Sequence, residues 1–268
     1  MREPQNNFNR KKSFSNRDEN TVTSKPVFGI HPIIEAIRSG KEVEKILFQK
    51  NNGNHILGEL SKEIKEFNIP FQFVPIEKLN HLTKSSNHQG VVALLSPIAY
   101  QNIENIIPTI FEKGETPLLV ILDRITDVRN MGAIARTAEC TGVHAIIVPS
   151  KGSAQINSDA IKTSAGAIFR MPVCRSENLK NTLEFLKTSG LQIVGCTEKG
   201  DTSINEINFS IPTAIILGSE EDGISSEYLN RCDSQAIIPL LGEIGSLNVS
   251  VASGMILYEA IRQREFKR

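Results

Sequence analysis

LLVILDRITDVRNMGAIARTA, residues 118–138, opens with an uninterrupted apolar run and passes through a polar turn into a helical pattern. A run this short and this apolar reads as a strand buried on both faces, the condition of strands in a parallel sheet covered by helices. Downstream the alternation repeats. HAIIVP (144–149) reads as a strand, SDAIKTSAGA (158–167) as a helical stretch, FRMPV (169–173) as a short strand and LKNTLEFLKTSG (179–190) as a helix. LQIVGC (191–196), TAIILG (213–218) and QAIIPL (235–240) follow as strands, and LNVSVASGMILYEAIRQ (247–263) as the last helix. The fold class is therefore α/β with a mostly parallel sheet. Ligands of such sheets bind beyond the carboxyl ends of the strands, which directs attention to the turns after LLVILD, TAIILG and QAIIPL.

Upstream lies a smaller α/β unit, residues 26–97. IHPIIEAIRSG places Ile30, Ile33, Ile34 and Ile37 at helical spacing with Gly40 as a stop. KILFQ and FQFVP read as strands, ILGELSKEIKEF as an amphipathic helix, and GVVALLS as a buried strand. Residues 98–116 are weakly patterned and are expected to form a linker to the large domain, 117–268. Residues 1–25 are rich in Asn, Ser, Arg and Lys, show neither period, and are expected to form a disordered basic arm.

The 268 residues carry 30 basic and 30 acidic side chains, so no net charge advertises a polyanionic partner. Distribution matters more than the sum: residues 1–25 and the C-terminal RQREFKR are both locally basic. No apolar run is long enough for a membrane span or a secretory signal, which leads to an expectation of a cytoplasmic protein. Cys140, Cys174, Cys196 and Cys232 are far apart without a CxxC pairing and read as reduced and mostly buried. In the small unit Phe28, Phe67, Phe71 and Phe73 are the candidates for base stacking, though aromatics at such positions read first as core.

Three loops concentrate chemistry-bearing residues. In the first, Asp127 or Asn130 is placed to cap the helix, Gly132 permits close backbone approach, and Arg136 is expected to project from the first helical turns toward the loop. The second, GSEEDGIS (218–225), sets three consecutive acids between glycines. Their spacing is not that of a calcium loop and no histidine is near, so a receptor for hydroxyls or a cationic group fits better than a metal site. In the third, IPLLGEIGSLNVSVASGMILYE (238–259), Ser246 and Asn248 open a long apolar helix, Ser246 reading most simply as its N-cap.

Taken in order, Asn130–Ala138 (NMGAIARTA), Gly218–Gly223 (GSEEDG) and Ser246–Gly254 (SLNVSVASG) closely resemble the three motifs of the SpoU, or TrmH-type, family of RNA ribose 2′-O-methyltransferases, members of the SPOUT class. VFGIHPIIEAI and HQGVVALLS resemble the start and end of the small L30e-like substrate-binding domain found in many members. The resemblance implies a trefoil-knotted methyltransferase domain, S-adenosylmethionine as methyl donor, RNA as substrate, and a homodimer. Gly218, Ile238 and Leu247 are implied cofactor contacts. Arg136 is implied to activate the ribose hydroxyl, Asn130, Ser246 and Asn248 to orient it, and Glu220 to hold the local network. Within the family the arrangement most resembles enzymes that methylate a guanosine of 23S rRNA, with tRNA-modifying relatives as the alternative. One position departs: Val128 stands where members often carry proline.

Two other classes were weighed on the residues. A nicotinamide-dependent dehydrogenase needs a GxGxxG turn after its first strand, and DRITDVRNMG lacks it. A non-catalytic RNA-binding assembly factor would need no intact Asn130, Arg136, Glu220, Ser246 and Asn248.

Overall fold

The computed structural model describes residues 26–50 and 58–266, so the arm expected at 1–25 lies outside the described residues. The small unit comprises β1 (Val27–Phe28), α1 (Ile30–Arg38), β2 (Val43–Gln49), α2 (Glu59–Glu66), β3 (Phe71–Val74), α3 (Ile76–Thr83) and β4 (Val91–Leu95). Its four strands run in the order β1-β4-β2-β3, which leaves β3 at an edge. Ile33, Ile34 and Ile37 pack on Ile46 and Phe48 on one face, and Leu47 and Val92 meet Leu79 on the other. Gly40 stops α1 with a φ of +75°. Phe71 and Phe73 on β3 and Phe67 at the end of α2 are exposed rather than in the core, and Phe28 on β1 is half-buried.

The stretch expected to be an unpatterned linker holds α4 (Ile103–Glu112), whose Ile103, Ile107 and Ile110 pack into the large domain's core. The large domain continues with β5 (Leu118–Leu122), α5 (Val128–Cys140), β6 (Ala145–Pro149), α6 (Ser158–Thr163), β7 (Val173–Ser176), α7 (Leu179–Thr188) and β8 (Gln192–Cys196). It ends with β9 (Thr202–Ser203), β10 (Thr213–Leu217), α8 (Ser226–Leu229), β11 (Ser234–Ile237) and α9 (Val249–Glu265). FRMPV is strand only at its last residue, because Ala167–Phe169 form a tight helical turn after Gly166, at φ +83°.

The seven strands are ordered β7-β6-β5-β10-β8-β11-β9, and every described pairing is parallel. All five residues of β5 are buried. Leu118, Val120 and Leu122 point to the layer of α5 and α9, while Leu119 and Ile121 point to α4 and α7. Each residue of this strand thus faces a helix on one side or the other, which is why the sequence shows a continuous apolar run instead of alternation. Gly132 permits the packing of α5 on α6, since a Cβ there would lie 2.7 Å from the Ala160 carbonyl oxygen.

A buried polar cluster joins the two units. Glu44 on β2 accepts from Arg175 on β7 at 2.7 Å and from the Tyr100 hydroxyl at 2.7 Å, and the guanidinium lies 3.7 Å over the Tyr100 ring. At the C-terminal end, Arg264 donates to the carbonyls of Thr116, Pro117, Phe209 and Ile211, and Arg262 pairs with Glu259. Two of the four bases in RQREFKR are therefore engaged inside the fold.

Candidate active site

The chain runs outward from β5 to β6 and β7 on one side, then returns to build β8, β10 and β11 on the other. A crevice forms at the carboxyl ends of the strands beside such a reversal. Here it is a cavity of about 520 Å³, walled by Cys196–Glu198 after β8, Leu217–Glu221 and Gly223 after β10, Ile238 and Leu240 after β11, and Gly245–Val249 leading into α9. That volume suits a small-molecule ligand.

The turn after β10 is held tightly. Ser219 and Gly223 exchange backbone hydrogen bonds at 3.1 and 3.0 Å, with Gly223 at φ +68°. Arg124, itself at φ +57°, reaches the Gly223 carbonyl at 3.1 Å and Asp222 at 3.0 Å. Beneath it the buried Asp123 carboxylate accepts from the Ser225 amide at 2.7 Å and from Arg124, whose guanidinium it holds above the usual arginine range. A Cβ on residue 218 would fall 2.1 Å from the Gly223 carbonyl carbon. Glycine is therefore required at 218 by the folding-back of its own turn.

That turn carries Glu220 to the ends of two helices. Its carboxylate accepts from Asn130 Nδ2 at 2.8 Å and from Asn248 Nδ2 at 2.7 Å, and Asn248 Nδ2 also reaches Asn130 Oδ1 at 3.1 Å. Asn248 Oδ1 meanwhile accepts from the Ser250 amide at 3.0 Å, so Asn248 is the N-cap of α9. Ser246 lies two residues before the cap, exposed at the cavity wall, which corrects the expectation that it caps the helix. Asp127 caps α5, leaving Asn130 buried and free to face Glu220. Val128 is the first helical residue of α5, the position where proline is favoured, so the departure noted in the sequence leaves the helix start intact.

Of the eight residues singled out from the sequence, Gly218, Glu220, Ile238, Ser246, Leu247 and Asn248 line the cavity, and Asn130 joins them through hydrogen bonds. Arg136 does not. It is exposed on α5, and six residues beyond Asn130 it leaves a different side of the helix, instead of projecting back toward the loop. Of the acids expected to receive a cationic group or hydroxyls, Glu220 is held by the two asparagine amides and Asp222 by the Arg124 guanidinium. Glu198, Glu220 and Glu221 line the cavity, and among the described residues no lysine or arginine does.

The wall formed by Cys196–Glu198 was missed in the sequence. The rule of carboxyl strand ends, extended to LQIVGC, would have found it. The Cys196 thiol is pushed up to about 12 by burial and stays protonated at neutral pH. Cys174 is buried, whereas Cys140 is exposed, contrary to the reading of the cysteines as mostly buried at that position.

Comparison with known proteins gives this geometry a family. Residues 117–258 match the SpoU rRNA Methylase family, and residues 26–101 match the family described as RNA 2′-O ribose methyltransferase substrate binding. The chain is 35% identical over 240 residues to a Staphylococcus saprophyticus protein whose name assigns it to the TrmH family of tRNA/rRNA methyltransferases, covering 90% of this chain and 96% of the relative. A Staphylococcus aureus protein of the same name is 35% identical over 238 residues. Among solved structures, the chain is similar to the SpoU methyltransferase AviRb from Streptomyces viridochromogenes in complex with AdoMet (TM-score 0.57, 27% identity, 89% of this chain and 90% of that one). It is also similar to the A. aeolicus TrmH/SpoU tRNA modifying enzyme (TM-score 0.53, 32% identity, 62% and 85%). By its sequence, its parallel sheet and its two matched domains, the chain belongs to the SpoU rRNA methylase family.

Proposed function

We propose that this enzyme methylates a ribose 2′-hydroxyl of structured RNA, with S-adenosylmethionine as donor, in the cavity bounded by Gly218, Ile238 and Leu247. The observation that carries the assignment is the Asn130–Glu220–Asn248 cluster at the edge of a cavity whose charged side chains, among the described residues, are all carboxylates. S-adenosylmethionine supplies an electrophilic methyl group on a cationic sulfur. The residues present fit it: Glu198 and Glu221 give a negative potential for a cation, and Leu217, Ile238, Leu247 and Ala252 give an apolar bed for a flat ring.

The chain's own contribution is position and charge. Glu220 fixes both asparagine amides, so Asn130 and Asn248 offer polar groups in one geometry to a hydroxyl held at the rim, with Ser246 beside them. Arg136 lies outside the cavity in which the alkoxide develops, so we assign it as a bidentate clamp on RNA phosphate, with the substrate phosphate as proton acceptor.

A guanosine of 23S rRNA is the favoured target, with tRNA as the alternative, and the cytoplasm as the site of action. A knotted C-terminal segment and a homodimer belong to the same reading. In support of pairing, α9 buries Val249, Ile256, Leu257 and Ala260 on one side and exposes Val251, Met255 and Tyr258 on the other.

The test is methyl transfer from radiolabelled S-adenosylmethionine to protein-free 23S rRNA and to bulk tRNA, mapped by resistance to alkaline cleavage. Label that blocks cleavage at one guanosine of 23S rRNA and disappears in Arg136→Ala is expected. Label in tRNA alone moves the substrate, and failure to bind the donor removes the assignment. Near-full turnover by Arg136→Lys would overturn the bidentate clamp.

A further inference from the structure

The methyl-transfer site leaves one built feature of the molecule unused, the cleft between the small unit and the loop after β6. On the edge strand β3, Phe71 and Phe73 point to the same face, 49% and 46% exposed, their ring centroids 6.1 Å apart and 6.1 and 5.9 Å from Phe48. Phe71 forms one lip of a cleft of about 190 Å³ whose walls include Lys45, Gln72, Lys151 and Ser153. Glu44, the only acid among its described lining residues, is occupied by Arg175 and Tyr100. Lys45 and Lys151 are thus left with no carboxylate partner among the described residues, and the Ser153 hydroxyl is buried there without a hydrogen-bond partner.

The far wall backs onto Arg124, the residue that steadies the active-site turn. A Cβ on Gly152 would be 3.9 Å from Arg124 Cγ, and Arg124 holds the turn that carries Glu220. Aromatic faces, uncompensated lysines and the acceptor cluster therefore succeed one another across the two units. The buried Glu44–Arg175–Tyr100 contacts fix the spacing between the first and the last.

We propose that this cleft seats an unpaired strand of the RNA substrate, with a base stacked on Phe71 and buttressed by the perpendicular Phe73 ring beside it, phosphates on Lys45 and Lys151, and the acceptor ribose delivered past Gly152 to Asn130, Glu220 and Asn248. The proposal rests on the RNA reading above and narrows it. Stacking on a side chain needs a base free of its helix, while a duplex would offer the platform only its backbone. The target nucleotide accordingly lies in a loop or single-stranded stretch, and the fixed span from platform to cavity selects which nucleotide of that stretch reaches the site. Phe71 and Phe73 act as positioning residues.

The experiment uses the full chain with a fluorescently labelled single-stranded oligoribonucleotide and its duplex as probes, and S-adenosylmethionine affinity by calorimetry as a separate readout. Phe71→Ala/Phe73→Ala is expected to weaken single-strand binding by about tenfold or more while leaving duplex and donor binding unchanged. Phe71→Tyr/Phe73→Tyr, which keeps both rings, is expected to restore it. Lys151→Ala should reduce the slope of log affinity against log salt by about 0.7. Unchanged single-strand affinity in the double alanine variant, or an equal loss for duplex, would overturn the proposal. So would a changed mass by light scattering with RNA affinity intact, which would make the patch a protein contact. Wild-type binding of RNA without methyl transfer would instead count against the function, leaving the cleft assignment standing on its own.

Discussion

Asn248 performs two separable tasks, and three substitutions divide them. Its Oδ1 caps α9 through the Ser250 amide, and its Nδ2 bridges to Glu220 and Asn130. A lost N-cap costs about 1 kcal/mol. Two hydrogen bonds, one to a carboxylate but on an exposed residue, are together worth about 1–2 kcal/mol. Asn248→Ala should therefore destabilise by about 2–3 kcal/mol, and Asn248→Ser, which keeps an N-cap oxygen, by the bridge alone, about 1–2 kcal/mol. Asn248→Asp also keeps the cap but sets a second carboxylate against Glu220. Like charges at hydrogen-bond distance repel, so its loss should be larger at pH 8 than at pH 4. Urea unfolding midpoints at pH 8 and pH 4 measure the stabilities, and single-turnover methyl transfer measures the site. All three variants should lose methyl transfer. Equal stability for the alanine and serine variants would refute the cap assignment, and a wild-type midpoint for Asn248→Asp at pH 8 would refute the bridge.

Gly218→Ala should abolish methyl transfer and donor binding together, because even a methyl group collides with the Gly223 backbone; donor affinity by calorimetry checks it. Arg264→Ala removes a donor from four carbonyls, of which those of Pro117 and Ile211 keep Thr213 as a partner, and should cost about 1–3 kcal/mol in urea unfolding, without a specific effect on RNA affinity. Arg175→Met leaves Glu44 buried and unpaired and should cost about 3 kcal/mol, seen as a lowered unfolding midpoint that Glu44→Gln in the same chain partly restores.

The large domain was legible because its strands are doubly buried and its helices amphipathic, so composition alone separates them. The helix α4 escaped notice because Pro108 sits inside it and interrupts the Ile103, Ile107, Ile110 spacing. The helix α3 is a short, mixed IEKLNHLT with only Leu79 and Thr83 buried, too few to mark a face. FQFV was legible as a strand, but a strand pattern does not say whether the face carrying Phe71 and Phe73 is covered; the packing of the helices decides it. The motif residues of the candidate site were found individually. Their joining was implied only by the family resemblance, since Asn130 and Asn248 are separated by 118 residues and only the parallel topology brings their side chains to one carboxylate. The direction of Arg136 was misread for the converse reason, because nearness in sequence along a helix does not mean nearness in direction.

That same separation bears on how the enzyme comes into being. Glu220 gains its second amide only when the final helix has started, and the residue that starts the helix is the one that supplies the amide. During synthesis the strands that precede α9 emerge with a cavity open on one side, and the arrival of α9 closes it. Emergence of this helix is then itself the step that finishes the site, because the same segment seals the core and brings Asn248 to Glu220.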